Sequence, residues 1–234
     1  MPRPPRFDLP GIPCHVMQRG NDRRAVFFDQ PDYRVYLEWL SKGARDYCVA
    51  VHAWCLMTNH THLLVTPLRS GALPKLFAYL GRHYVGYINR TYRRTGSLWE
   101  GRYEACLVDT DEYMLACYRY IELNPVTANM VPEPSAYQWS SYHCNALGET
   151  DDMVTPHATY QSLGRSLRGR HQAYRALFAN DLDAEVVHRI ETALAHNHVL
   201  GNDRFRSEIE EMLQRRLGTG QPGRPRKRRD GESK

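Results

Sequence analysis

Residues 48–67, CVAVHAWCLMTNHTHLLVTP, contain two runs of residues that favour β-strands. The first run covers residues 48–57, and the second covers residues 60–67. Thr58 and Asn59 lie between them and are typical of a tight turn, because a two-residue connection joins antiparallel strands. The segment therefore predicts a β-hairpin, with His60 and His62 at the start of its second strand.

The flanking segments predict the helices and strands that complete a sheet around this hairpin. Residues 12–20 predict a strand, and residues 31–47 predict a helix that begins near Asp29 and Pro31. Residues 73–94 have apolar residues at helical spacing, and residues 97–110 predict a fourth strand. This β-α-β-β-α-β order predicts an α+β, ferredoxin-like fold with an antiparallel sheet and helices on one face.

An additional helix is predicted over residues 111–123 and must dock on the sheet. Asp109 and Glu112 have the spacing of a capping box, and Pro125 predicts the end of the helix. Four residues share one stripe of this helix: Tyr113, Cys117, Tyr120 and Asn124. From the pattern alone, Tyr120 is either a half-buried core aromatic or a reactive phenol. Asn124 is either a helix-terminal residue or an amide ligand.

Composition excludes several classes of protein. Hydrophobic residues make up 42% of the 234 residues, which supports a packed core, and no apolar run approaches the roughly 20 residues of a membrane span. The N-terminal MPRPPRFDLPG has no apolar stretch behind it, so it does not resemble a secretory signal. Six cysteines without a Cys-x-x-Cys pair predict buried free thiols in a reducing cytoplasm, rather than disulfides or a zinc site.

The chain divides into three predicted parts. Residues 1–150 form the main domain, residues 151–216 form a helical appendage of three short amphipathic helices, and residues 217–234 form a basic tail. The tail segment PGRPRKRR, residues 222–229, partly matches an AT-hook arm that reads the minor groove, and the alternative is a generic charged tail.

The positive charge is concentrated in two regions. The segment from Arg216 to Lys234 accounts for the whole net charge of +5. Residues 69–102 contain seven Lys or Arg residues and one acid, Glu100. This distribution favours a polyanionic partner, while the alternative is a solvated helix face with scattered arginines.

His60 and His62 are the residues with the clearest chemical meaning. Residues i and i+2 of a strand face the same side, so the two imidazoles form a two-ligand metal platform if a third ligand is present. The alternative is two ordinary histidines beside a turn. Leu64 stands where the His-x-His-x-Asp-His hydrolases need an aspartate, and the glutamate of a cupin and the repeated βα units of an amidohydrolase barrel are absent from the sequence.

Five motifs follow one another along the chain: HVMQRGNDRR, MTNHTHLLV, GSLWEGRYEA, CYRYIELNPV and WSSYHCNALG. Together, over roughly residues 12–147, they resemble the HUH single-tyrosine transposases, most closely the REP-associated tyrosine transposases of the IS200-like branch. The resemblance implies that His60 and His62 bind a metal, that Asn124 is the third ligand and that Tyr120 is the nucleophile. It also implies a Mg²⁺ or Mn²⁺ cofactor and a ferredoxin-like core.

The function that this resemblance implies is metal-dependent cutting and joining of single-stranded DNA at hairpin-forming repeats, through a 5′-phosphotyrosine. Seven arginines are the predicted DNA contacts: Arg82, Arg90, Arg93, Arg94, Arg102, Arg224 and Arg226. Tyr84, Tyr87 and Tyr92 lie among them and are expected to stack bases. We expect a cytoplasmic protein associated with the nucleoid, acting as a monomer or a homodimer. One alternative is a non-catalytic regulator that binds hairpin DNA on the same fold. Another is an RNA-binding protein, but the sequence lacks its paired aromatic strand motif.

Overall fold

A computed structural model describes Phe7, residues 9–214 and residues 216–217. Its strands are β1 (Cys14–Arg19), β2 (Val49–Met57), β3 (His60–Pro67), β4 (Glu104–Val108) and β5 (Val199–Leu200). Its α-helices are α1 (Gln30–Asp46), α2 (Ala72–Thr91), α3 (Met114–Thr127), α4 (Ala158–Gln161), α5 (Leu167–Ala176), α6 (Ala184–His196) and α7 (Asp203–Leu213). No described helix is long and apolar enough to cross a membrane.

The strands form one sheet in the order β2-β3-β1-β4-β5. The first four strands pair in antiparallel fashion, which confirms the predicted ferredoxin-like α+β core. β5 adds a short parallel pairing to β4. This fifth strand was not predicted, since two residues are too few to show a period-two pattern.

The two helices of the βαββαβ unit lie on one face of the sheet, as predicted, and the additional helix docks on the other face. α1 and α2 pack on one face, where they bury alternate residues such as Val16, Leu56 and Leu63. α3 packs on the other face together with residues of α4, α5 and α6, against Ala53, Cys55 and Leu64. β2 and β3 are buried almost throughout because both of their faces are covered. All six cysteines are free.

α1 begins where the sequence predicts. Asp29 caps it, since its side chain accepts from the Gln30 amide, and Asp32 completes a capping box from inside the helix. The turn between β2 and β3 also lies at Thr58 and Asn59, as predicted. The predicted fourth strand is shorter than expected, because residues 97–103 bend away, with one bridge from Trp99 to Gly20.

α3 differs from its prediction at both ends. The Asp109 carboxylate accepts from the Asp111 amide at 3.0 Å, so Asp109 and Glu112 do not form a capping box. Pro125 lies inside the last turn, and α3 continues to Thr127. The helix tolerates this proline because the following amides still find acceptors: Ala128 N donates to Asn124 O, and Met130 N donates to Pro125 O, both at 2.9 Å.

The region after residue 150 contains the three predicted helices as α5, α6 and α7, together with α4 and β5. The buried Tyr160 and Tyr174 contact Tyr118 of α3, and α6 packs beside β4. The division of the chain into domains stays a prediction. The predicted basic tail lies outside the described residues, apart from Leu217.

Candidate active site

His60 and His62 lie on β3 and face the helix α3. Antiparallel pairing places Arg19 opposite His60 and Met17 opposite His62 on β1. Side chains alternate along a strand, so these four residues share one face of the sheet, together with His15. The two histidine rings lie 4.9 Å apart between centroids. The pairing predicted from the His-x-His spacing is therefore present at one end of the sheet.

A neighbouring group contacts the Nδ1 atom of each predicted ligand. His62 Nδ1 lies 2.9 Å from His15 Nε2, and His60 Nδ1 lies 2.6 Å from the Asn59 side-chain oxygen. Asn59 Oδ1 can only accept a hydrogen, so the Nδ1 of His60 carries the proton, and its Nε2 keeps a lone pair. The same arrangement for His62 requires that its Nδ1 donate to His15. These contacts occupy the Nδ1 atoms, so Nε2 is the atom of each ring that could bind a cation.

Sequence reasoning missed His15 and Arg19. His15 is fully buried on β1, two residues before Met17, and Arg19 lies two residues after it. The signal for both was the alternation of β1, but it becomes informative only with the β1–β3 register.

Tyr120 on α3 covers the histidines. Its ring centroid lies 5.5 Å from that of His15 and 5.8 Å from that of His62. The other tyrosines of α3 and its N-terminus face elsewhere. Tyr113 accepts a hydrogen bond from Arg189, and Tyr118 is fully buried against Tyr160 and Tyr174. Tyr120 is therefore the phenol of this helix that is placed at the histidine pair.

Asn124 lies one turn after Tyr120 and reaches His60. Its side-chain nitrogen donates to the Tyr120 carbonyl at 2.8 Å, and its amide also forms a side-chain hydrogen bond with His60. The structure thus brings together the four residues of the predicted site: His60, His62, Tyr120 and Asn124.

Glu122 anchors α3 in this position. Its buried carboxylate lies two residues after Tyr120 and accepts from Ser141 Oγ at 2.6 Å, from Asn145 Nδ2 at 2.9 Å and from the Tyr174 hydroxyl at 2.7 Å. Burial raises the pKa of Glu122 to about 7, against the opposing effect of these donors. No sequence pattern indicates this anchor, because its partners are 19 to 52 residues away along the chain.

Burial keeps the three histidines neutral. It lowers the pKa of His15 to about 3 and the pKa of His62 well below its usual value. It also lowers the pKa of His60 to about 4, helped by the Arg19 charge and opposed by the hydrogen bond to Asn124. Neutral imidazoles have the lone pair that a metal ligand needs.

The Tyr120 phenol is held in its protonated form in the absence of a ligand. Burial raises the pKa of Tyr120, and the Glu191 carboxylate adds to this effect, whereas the Arg19 charge opposes it. The phenol therefore needs further positive charge nearby before it can act as a nucleophile.

The donor set fits a divalent cation that binds both nitrogen and oxygen. Two neutral imidazoles converge with an amide that already contacts one of them, and none of the three is charged. Among the described residues, no group of three His, Cys, Asp or Glu is arranged to hold a metal ion. A cation at this site would therefore need the Asn124 amide oxygen as its third protein ligand. Imidazole with oxygen ligands suits Mn²⁺, and Mg²⁺ is accommodated by open positions filled with water.

A cavity of about 480 Å³ adjoins the site. Its lining includes Met17, Arg19, Glu104 and Arg102, and the end of α6 contributes His196. Glu100 also lines the cavity, so two arginines and two glutamates face it, and Met17 and Arg19 are the lining residues that share the sheet face of the histidines.

The structure distributes the predicted DNA-binding arginines over separate places. Arg102 lines the cavity with Arg19, and Arg94 lies over the ring of Phe28. Arg90 and Arg93 are exposed at the C-terminal end of α2. Arg82 is exposed on α2, which packs on the sheet face opposite the histidines. Arg224 and Arg226 lie outside the described residues.

The hydroxyl groups of the tyrosines that were expected to stack bases form hydrogen bonds within the protein. Tyr84 is fully buried and donates to the Val26 carbonyl at 2.7 Å, so its predicted contact with bases is wrong. Tyr87 and Tyr92 both donate to the buried Asp32 carboxylate, at 3.0 and 2.9 Å.

Residues 9–124 match the family model described as transposase, IS200-like, and this segment includes every residue of the site from His15 to Asn124. Among solved structures, the chain is similar to a REP-associated tyrosine transposase bound to a REP hairpin, with 19% identity and a TM-score of 0.54. That match covers 68% of this chain and 96% of the other, and it shows a shared fold. A candidate transposase from Deinococcus radiodurans R1 matches with 21% identity and a TM-score of 0.37, over 52% of this chain and 95% of the other. No curated protein matches the chain.

Proposed function

Because the chain belongs to the IS200-like transposases, of the HUH single-tyrosine class, we propose that it cuts and rejoins single-stranded DNA beside a hairpin through a covalent bond to Tyr120. The solved relative with the same fold is bound to a REP hairpin, which supports a hairpin-forming repeat as the substrate. The reaction exchanges one phosphodiester for another, so it needs no external energy source.

One observation carries this proposal. Tyr120 lies over His15 and His62, on the same face of the sheet where Asn124 contacts His60. A nucleophile and a convergent set of neutral ligands are the two components that a phosphodiester transfer requires. A protein that only bound DNA would not need them in one place.

Each residue of the site has a separate role in the reaction. The Tyr120 oxygen attacks the phosphorus and loses its proton, the bond to the 3′ oxygen breaks, and the products are a 5′-phosphotyrosine and a free 3′-hydroxyl. Arg19 stabilises the phenolate, since its charge already lowers the pKa of Tyr120 against the effect of burial. Bound Mg²⁺ or Mn²⁺, held by His60, His62 and Asn124, would supply further positive charge next to the phosphorus.

Access to the site favours single-stranded DNA. The Tyr120 side chain lies between its own helix, α3, and the sheet. The cavity of about 480 Å³ that Met17 and Arg19 line has room for a nucleotide rather than a duplex. Arg19 and Arg102 in this cavity would contact the phosphates that flank the cut.

The experiment that tests the proposal compares Tyr120→Phe with Tyr113→Phe on a labelled single strand that contains a hairpin. We expect the wild type and Tyr113→Phe to form a protein–DNA adduct on a denaturing gel, because Tyr113 faces Arg189. Tyr120→Phe should bind the same DNA and form no adduct. If the wild type binds hairpins tightly and forms no adduct with Mg²⁺ or Mn²⁺, the protein is the non-catalytic regulator instead.

A further inference from the structure

The loop between β1 and α1 is built as a rigid support. Asp22 and Arg23 have left-handed backbone angles, φ 54 and 56, which cost energy for residues with a side chain. Gly20 is required where the loop begins, because a Cβ there would lie 2.2 Å from the Arg24 carbonyl oxygen. Such strain persists only where the surroundings determine the conformation, so the loop is fixed by its contacts.

Those contacts join the loop to the turn that carries His60. The Gly20 amide donates to the Asn59 carbonyl at 2.8 Å, and the Asn59 side-chain amide donates to the Arg23 carbonyl at 3.0 Å. The same Asn59 side chain contacts His60 through its oxygen. The loop and the histidine pair therefore lie at the same end of the sheet and are joined by hydrogen bonds through Asn59.

Phe28 ends this loop as an exposed aromatic ring. It is 45% exposed, although Val26 and Phe27 before it are buried. Its ring lies 4.6 Å from that of Tyr92, and the Arg94 guanidinium lies 5.4 Å from its centroid. The buried Asp32 fixes both aromatics, since it accepts from the Phe28 amide and from the Tyr92 hydroxyl. An exposed aromatic ring whose position is fixed in this way can stack on another planar ring.

Exposed arginines lie close to Phe28 in the chain, and Arg94 contacts its ring. Arg23 and Arg24 are exposed on the loop, and neither they nor Arg94 form an ion pair with any residue that the structure describes. Three acids lie in the same stretch, but Asp29 caps α1 and Asp32 is buried, which leaves Asp22 as the exposed acid beside Arg23 and Arg24. An exposed aromatic among unpaired arginines is the arrangement that binds a base and its flanking phosphates.

We propose that five residues, called here the Phe28 patch, bind the unpaired strand that leaves the cleavage site. They are Arg23, Arg24, Phe28, Tyr92 and Arg94. Phe28 stacks on a base, and the arginines contact the phosphates on either side of it. The ligand is single-stranded, because bases in a duplex are already stacked and cannot reach the ring. This inference rests on the proposed function for the position of the strand.

Anisotropy of a labelled strand of about 16 deoxythymidines tests the patch, in a Tyr120→Phe background that prevents cutting. Phe28→Ala should weaken binding roughly 5- to 100-fold, as expected for the loss of one stacked base. Phe28→Trp should restore it. The control is Leu167→Ala, which truncates another exposed apolar residue, on α5. Melting temperatures check that each variant is folded.

The arginines are tested through salt dependence. The double variant Arg23→Ala and Arg24→Ala should flatten the slope of log affinity against log salt by about 1.4, since each phosphate contact on a single strand contributes about 0.7. Arg204→Ala, on the distant α7, is the matched control and should leave the slope unchanged. Binding by the Phe28 and arginine variants within twofold of their controls would overturn the proposal. Equal competition by a blunt hairpin without a single-stranded flank would also overturn it.

The outcomes separate this inference from the proposed function. If the otherwise wild-type protein forms covalent adducts while the Phe28 patch variants bind the strand normally, the patch is wrong and the function stands. If the variants lose strand binding but the wild type never forms an adduct, the patch is correct and the transferase function is wrong.

Discussion

Asn59 should control how tightly the site binds a divalent cation, although it is not itself a ligand. Its side-chain oxygen lies 2.6 Å from His60 Nδ1, and its side-chain nitrogen donates to the Arg23 carbonyl at 3.0 Å. The first contact fixes the ring orientation of His60 and leaves Nε2 for the cation. The second contact stabilises the loop between β1 and α1. Two substitutions separate these roles.

Asn59→Ala removes both contacts. We expect roughly 10- to 100-fold weaker cation binding, which is the usual cost of losing a partner that orients a metal-binding histidine. We also expect the free energy of unfolding to fall by about 1 kcal/mol, from the lost hydrogen bond to Arg23. Asn59→Asp keeps an oxygen beside His60 and loses the donor. It should bind the cation as tightly as the wild type or more tightly, with a similar loss of stability.

Titration with Mn²⁺, followed by the electron paramagnetic resonance signal of the free ion, measures the affinity without reference to catalysis. Urea denaturation measures the stability of the same three proteins. The reasoning about His60 is refuted if Asn59→Ala binds Mn²⁺ within twofold of the wild type. It is also refuted if the alanine and aspartate variants lose affinity equally, because the loop contact alone would then be responsible.

Three further predictions concern the cation, the stability and the tail. Excess EDTA should abolish adduct formation and leave strand binding intact, and Mn²⁺ should replace Mg²⁺; an adduct that forms in EDTA contradicts the ligand assignment. Burial lowers the pKa of His52 to about 4 from 6.5, so its contribution to stability is complete above pH 6.5 and is lost as the pH falls toward 4. Between pH 6.5 and 4, the free energy of unfolding measured with urea should fall by up to about 3 kcal/mol less in His52→Gln than in the wild type. Identical pH profiles for the two proteins would contradict the prediction. Truncation after Gly220 should reduce the slope of log DNA affinity against log salt by a few units, and it should not slow cleavage at saturating protein. Slower cleavage at saturating protein would place the tail in the active site.

The sheet and its first helix could be predicted because their signals are local. The hairpin of residues 48–67 has its turn at Thr58 and Asn59, and Asp29 caps α1 through contacts within four residues. The His-x-His platform was also local, since strand alternation alone places His60 and His62 together.

The errors have physical causes that the sequence pattern does not show. Pro125 does not end α3, because the amides after it find carbonyl acceptors within the last turn. Tyr84 does not meet bases, because the aromatic core of α1 and the loop before it closes over its ring.

Other parts of the site depend on register and cannot be read from spacing. His15 reaches His62 only because β1 and β3 pair with Met17 opposite His62. Glu122 and Ser141 meet across 19 residues of chain, and no periodic pattern connects them. Phe28 follows a buried phenylalanine, so composition does not indicate which of the two rings is exposed.

The most direct test of the central claim is to map the DNA-linked residue by mass spectrometry. Trypsin cleaves after Arg119, so it separates Tyr120 from Tyr113 and Tyr118, which remain on the preceding peptide. After the bound DNA is trimmed with nuclease, we expect the nucleotide mass on the peptide that begins at Tyr120, attached to that residue. A modification on the preceding peptide, or on a tyrosine later in the chain, would contradict the account.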